Sequence, residues 1–218
     1  MVLVCSYERI KKNDAAFDWN PGGSTRRICR LSPKGVNKVD VAKETINNLT
    51  GCILVASPLL RDPNFRKTIL FICSHAADEG AIAFILNRPG GSKMPVPGCG
   101  RVDIYHGGPV MPESLVVASL QWKLPGNVVA FRSFENPDES VLEVAEEWQD
   151  GLRVFAGYAG WTAGQLEEEL TTNSWLVLPP TREIVEMKDP AGAWDAIMAK
   201  SPPLMRLLAA APDDPSRN

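Results

Sequence analysis

The sequence lacks the features that mark several classes of protein. No apolar run approaches the ~18 residues that a transmembrane helix needs, and Met1–Cys5 lacks the basic start and long apolar stretch of a secretory signal. The five cysteines form no Cys-x-x-Cys pair and are odd in number, which argues against a disulfide framework. We therefore expect a soluble, cytoplasmic protein that folds around a hydrophobic core.

Motifs for metals and nucleotides are also missing. Zinc usually takes four ligands, and His106 with the scattered Cys52 and Cys99 shows no ligand-like spacing. Neither G-x-x-x-x-G-K-[ST] nor G-x-G-x-x-G occurs. The sequence therefore predicts no metal and no cofactor.

Charge is distributed unevenly along the chain. Residues 1–43 hold nine Lys or Arg and four Asp or Glu, whereas residues 44–218 hold 14 and 22. An acidic body argues against a general nucleic-acid surface, because phosphate binding needs a concentrated basic face. If nucleic acid is bound directly, we expect the basic cluster at residues 26–30 to bind it. We predict that residues 1–43 form a flexible, poorly ordered N-terminal arm.

The remaining chain is predicted to form one compact domain over residues 44–211, followed by a disordered tail over residues 212–218. Short apolar runs bounded by Pro, Gly and Asp predict strands, and capping residues followed by apolar stripes predict helices. This order favours an α/β or α+β fold with a mixed sheet and flanking helices. The predicted strands span residues 52–56, 68–74, 81–86, 102–105, 116–120, 128–131, 152–157 and 175–178, and the helices 39–49, 136–150, 162–173, 189–201 and 204–211.

Cys73 and His75 are the candidate catalytic residues. They flank Ser74 at a predicted strand end, where residues i and i+2 point to one face. A thiolate activated by a neighbouring histidine is one interpretation. A buried structural cysteine beside an exposed or capping histidine is the other.

Two turns supply candidate binding residues. Asn87 and Arg88 follow the predicted strand 81–86, where an open sheet binds ligands. Alternatively, Asn87 could hydrogen-bond the turn backbone and Arg88 could pair with a carboxylate. Gly107 and Gly108 would let backbone amides approach an anion, and a sharp turn explains them equally well.

Residues 157–165 are the most specific stretch of the sequence. A strand is predicted to run into a Gly-interrupted turn and then into a helix opened by the capping box Thr162-Ala163-Gly164-Gln165. Tyr158 and Trp161 flank the turn, and we expect at least one ring to be partly exposed beside Gly107 and Gly108. A purely structural role for the turn is the alternative.

Several short motifs occur in a characteristic order, at residues 51–58, 62–65, 73–75, 85–89, 105–110, 155–161 and 163–167. On these motifs the chain resembles the YqgE/AlgH family of bacterial proteins over about residues 49–200. The resemblance implies a single compact α/β domain with a curved, barrel-like sheet, and a link to transcriptional regulation. It implies no established catalytic residues.

These observations favour a non-enzymatic regulatory or interaction protein with an unidentified protein or small-molecule partner. We expect the partner to bind around Asn87, Arg88, Gly107, Gly108, Tyr158 and Trp161, because these residues form no coherent set of acid, base and nucleophile. An enzyme that uses Cys73 and His75, or a small-ligand-binding protein, is the alternative. Any role in transcription is expected to be indirect.

Overall fold

A computed structural model of the protein describes residues 48–123, 128–134 and 149–211. These residues form nine strands, one 3-10 turn (Gln149–Gly151) and four helices. The strands are β1 (Ile53–Ala56), β2 (Ile69–Ala76), β3 (Gly80–Ile85), β4 (Pro89–Val96), β5 (Gly100–His106), β6 (Val110–Lys123), β7 (Val128–Phe134), β8 (Leu152–Trp161) and β9 (Trp175–Leu178). The helices are α1 (Gln165–Thr171), α2 (Arg182–Val185), α3 (Ala193–Ala199) and α4 (Pro203–Ala210).

Strand β8 joins two halves of one mixed sheet, in which the order is β4-β5-β8-β3-β2-β1-β9. The first half of β8 pairs in parallel with β5 and antiparallel with β6, which continues to β7. The second half pairs antiparallel with β3. Gly157, with a φ of 68°, lies between the two halves, in a conformation that glycine adopts without steric cost.

The predicted mixed α/β architecture is confirmed, with a correction to the shape of the sheet. Within the described ranges the strands do not close into a barrel, because β4, β7 and β9 each pair with a single neighbouring strand. No helix within those ranges is long and apolar enough to cross a bilayer.

The central strands are buried on both faces, which explains their nearly continuous apolar sequences. On one face, Ile69 and Phe71 of β2 belong to a cluster that α2 and α3 cover with Ile184 and Trp194. On the other face, the core includes Leu70 and Ile72 and is covered by Leu166 of α1. We call these the α3 face and the α1 face.

Several sequence predictions differ from the structure. Strand β4 was not predicted because Pro89, Pro95 and two glycines disfavour a strand; it lies at the sheet edge, where proline is tolerated. The predicted turn after Gly157 is wrong, since β8 continues to Trp161. The arm at residues 1–43, the tail at 212–218 and most of the predicted helices at 39–49 and 136–150 lie outside the described residues.

Candidate functional site

A β-bulge separates the two candidate catalytic residues. Ile72 pairs with Ala83 and Ser74 pairs with Ile82, so Cys73 is an extra residue in β2. The extra residue shifts the alternation of side chains, and the expectation that Cys73 and His75 share a face is therefore wrong. Cys73 lies in the core of the α3 face, where its Sγ donates a hydrogen bond to the Ile82 carbonyl at 3.3 Å.

His75 lies on the α1 face and is 3% exposed. Its Nδ1 accepts a hydrogen bond from the Leu49 amide at 2.9 Å, which requires the proton of a neutral ring to be on Nε2. Nε2 then donates to Glu167 Oε1 at 2.8 Å. Both ring nitrogens are thus used to join β2 to the segment before β1 and to α1.

A second carboxylate of α1, that of Glu169, accepts hydrogen bonds from two buried indole N–H groups. Glu169 Oε2 accepts the Nε1–H of Trp161 at 2.9 Å and that of Trp175 at 2.7 Å. The two rings lie edge to face, with centroids 5.9 Å apart. Trp161 is 6% exposed, so most of its side chain is packed in the core. Glu167 and Glu169 therefore dock α1 onto the sheet. Sequence analysis missed this role because His75 is 92 residues from Glu167 and the indole contacts of Glu169 form only once α1 packs against β8 and β9.

The predicted capping box is half formed at the start of α1. Gln165 Oε1 accepts the Thr162 amide at 3.1 Å, which is the reciprocal bond of the motif. Gly164, with a φ of 77°, occupies the N-cap position without a side-chain cap. The Gly-rich stretch thus turns β8 sharply into α1.

Asn87 and Arg88 bond backbone groups of the loop that leads into β2. The Asn87 side chain is buried; its Oδ1 accepts the Ile69 amide at 2.8 Å and its Nδ2 donates to the Lys67 carbonyl at 2.9 Å. The Arg88 guanidinium donates to the carbonyls of residues 63, 64 and 66 at 2.7–3.2 Å. Burial lowers the pKa of Arg88, and the charge of Arg66 acts in the same direction. Both side chains thus form hydrogen bonds with backbone groups of residues 63–69.

Gly107 and Gly108 pack directly against β8. The Gly107 amide donates to the Ala156 carbonyl at 2.8 Å, and its carbonyl accepts from the Ile85 amide at 2.9 Å. A Cβ atom on Gly108 would overlap the backbone of Tyr158. At both positions the chain passes so close to the backbone of β8 that a Cβ atom would not fit, which explains why both residues are glycine.

A groove of about 220 Å³ opens on the α3 face, beyond the edge of the core. Its floor is a cross-strand row formed by Ser74, Ile82 and Gly160, which are in register on β2, β3 and β8. Tyr158 and Val110, which pair between β8 and β6, form one wall. Gly160, the β8 member of this row, is exposed and has no side chain. The space that a side chain would occupy there is part of the groove.

The opposite wall of this groove, which we call the Tyr158 groove, is polar. It contains Glu79, Thr162 and Gln165. The Tyr158 side chain is half-buried, and this burial raises the pKa of its phenol. Among the residues the structure describes, no group of three or more His, Cys, Asp or Glu side chains could hold a metal ion.

The structure brings together some of the predicted binding residues. Tyr158 and Trp161 line the Tyr158 groove, and Gly108 lies against the Tyr158 backbone. Asn87 and Arg88 bond the loop before β2 and do not line the groove. No sequence pattern indicates the floor residues, because their alignment depends on the bulge at Cys73 and on strand pairing.

The described residues define a mixed α/β sheet protein with a small groove at the junction of its two sheet halves. Residues 53–204 match the model of the AlgH-like family, and the chain belongs to this family. It is 32% identical over 198 residues to a UPF0301 protein of Thermobifida fusca, covering 78% of this chain and 96% of the relative. It is 37% identical over 163 residues to a UPF0301 protein of Magnetococcus marinus, covering 68% and 86%.

Two solved structures share the fold. The solution structure of the AlgH protein from Pseudomonas aeruginosa superposes with a TM-score of 0.53 at 28% identity, covering 78% of this chain and 98% of that chain. The crystal structure of protein DIP2367 from Corynebacterium diphtheriae gives a TM-score of 0.59 at 21% identity, covering 75% and 92%. The predicted family resemblance is thus confirmed.

Proposed function

We propose that this AlgH-like protein is a non-enzymatic regulatory or interaction protein that binds its partner in the Tyr158 groove. The observation that carries the proposal is the composition of the groove. It combines an exposed glycine in the floor, a half-buried aromatic wall and a polar wall. Most other candidate residues instead make hydrogen bonds or packing contacts within the protein. Aromatic walls with a few convergent polar groups are typical of binding sites.

The size of the groove favours a protein partner. A volume of about 220 Å³ is below the roughly 300–1,000 Å³ of a typical small-molecule pocket. One or two side chains of a partner protein would fill it. Glu79 is the ionisable wall residue besides Tyr158, so a donor or cationic side chain fits best.

The position of the Ser74 hydroxyl relative to His75 supports binding rather than catalysis. Ser74 lies in the groove, but His75 lies on the opposite face of the sheet with both ring nitrogens bonded. A serine nucleophile needs a base within hydrogen-bond reach. We further propose that the protein acts in the cytoplasm, that any effect on transcription is indirect, and that any direct contact with nucleic acid involves residues 1–43.

A matched pair of variants tests the proposal. Gly160→Val fills the groove, and the atoms nearest to the new Cβ would be those of the Tyr158 ring, at 3.3 Å, and a Val110 methyl, at 3.9 Å. Valine also suits a strand. The control is Ala163→Val, an exposed change three residues away. Native mass spectrometry of each purified protein with its co-purified partner should show the complex for wild type and for the control, and its loss for Gly160→Val. An equal complex for all three would contradict the proposal.

The alternative, an enzyme that uses Cys73 and His75, has a separate test. If Cys73 is structural, Cys73→Ala should cost about 1–3 kcal/mol of unfolding free energy through a small cavity, and partner binding should persist. Rapid alkylation of Cys73 in the native protein that depends on His75 would instead support the enzyme.

A further inference from the structure

Arg153 of β8 is a buried cation with an unused donor. Its Nη2 donates to the Val185 carbonyl at 2.7 Å, at the end of α2. Its guanidinium carbon lies 5.6 Å from the centroid of the Tyr105 ring. Its Nη1 is inaccessible to solvent and has no hydrogen-bond partner among the described residues. The side chain thus holds α2 on the sheet through Nη2, while the N–H groups of Nη1 have no hydrogen-bond acceptor among the described residues.

An unsatisfied guanidinium nitrogen needs an acceptor. Burial lowers the pKa of Arg153, and Tyr105 partly offsets that effect, yet an arginine side chain stays protonated in proteins. Buried polar groups are nearly always hydrogen-bonded, so an exception needs an explanation such as a missing ligand.

A cavity of about 560 Å³ lies against this side chain. Arg153 and Lys123 line it, together with the apolar side chains of Leu120, Trp122 and Met187. The volume is within the range of small-molecule sites.

The charges around the cavity restrict the ligand. Asp150 and Glu186 also line it, and Glu186 is already paired with Arg182 at 2.7 Å. Two carboxylates repel a dianion more strongly than a monoanion. A planar carboxylate matches the guanidinium fork, and the apolar side chains suit an organic tail.

We propose that this cavity binds a small organic monocarboxylate, whose carboxylate accepts a hydrogen bond from Arg153 and whose apolar part packs on Trp122 and Met187. The site is separate from the Tyr158 groove and does not depend on the proposed function. The two cavities share no lining residue.

Titration calorimetry with hexanoate, propionate and inorganic phosphate tests the site. Hexanoate should bind saturably to wild type and more tightly than propionate, because its longer tail covers more apolar surface. Arg153→Gln should weaken hexanoate binding by at least about tenfold. The control Arg206→Gln, an exposed arginine of α4, should leave it unchanged.

A second measurement does not depend on a variant that folds. In an NMR titration of the wild-type protein with hexanoate, the chemical shift of the Arg153 Nε–Hε group should change in proportion to the fraction of protein bound. The proposal is overturned if hexanoate does not saturate, if phosphate binds as tightly as hexanoate, if both arginine variants lose binding equally, or if the Arg153 resonance does not move.

Discussion

Replacing Glu169 should expose how α1 is held on the sheet. In Glu169→Ala, the indole N–H groups of Trp161 and Trp175 lose their shared acceptor, Oε2, which they contact at 2.9 and 2.7 Å. A hydrogen bond to a charged group contributes roughly 1.5–3 kcal/mol. Because Glu169 is only half-buried, the lower value applies to each bond, and the expected loss of unfolding free energy is about 3 kcal/mol.

Urea unfolding followed by tryptophan fluorescence measures this loss. The midpoint should fall by at least about 1 M for Glu169→Ala. Glu169→Gln keeps one acceptor oxygen and should lose about 1 kcal/mol. The control is Glu168→Ala, an exposed neighbour on the same helix, which should stay within about 0.5 kcal/mol of wild type. Equal midpoints for Glu169→Ala and Glu168→Ala would refute the docking role.

Three further outcomes are expected from the structure, and a fourth from the sequence. Asn87→Ala should lose about 2–3 kcal/mol in the same assay, because it leaves the buried Ile69 amide without an acceptor. Gly108→Ala should reduce the yield of folded protein, since its Cβ would overlap the Tyr158 backbone; normal folding would contradict that packing. Burial raises the pKa of the Cys99 thiol, so its thiolate fraction is low at neutral pH, and its alkylation, followed by mass spectrometry, should accelerate only above the usual thiol pKa. Deleting residues 1–38 should leave the unfolding midpoint nearly unchanged, and a large drop would show that the arm packs on the body.

Local sequence patterns predicted most strands because the central ones are buried on both faces. Ile69–Ile72 are all fully buried or nearly so, and a continuous apolar run indicates such a strand without any long-range information. The edge strand β4 carries glycine and proline, so its pairing with β5 depends on the neighbouring chain rather than on its own propensity.

The candidate site was less accessible to sequence reasoning. The bulge at Cys73 has no glycine or proline to indicate it, yet it reverses the face on which His75 lies. The partner of Trp161 is eight residues away in the sequence, and the contact forms only after β8 turns into α1. Tyr158 was predicted as a binding residue because it lies in a Gly-interrupted stretch between a strand and a helix. Gly160 and Ser74 become neighbours only through strand register.

Site-resolved photocrosslinking shows which part of the protein surface contacts the partner. A photoreactive phenylalanine analogue replaces Tyr158 in one protein, and Arg61, an exposed residue of the loop before β2, in another. If the Tyr158 groove is the binding site, the partner should be captured at position 158, should be lost when Gly160→Val is added, and should not be captured at position 61. Capture at position 61 with none at position 158 would contradict the account.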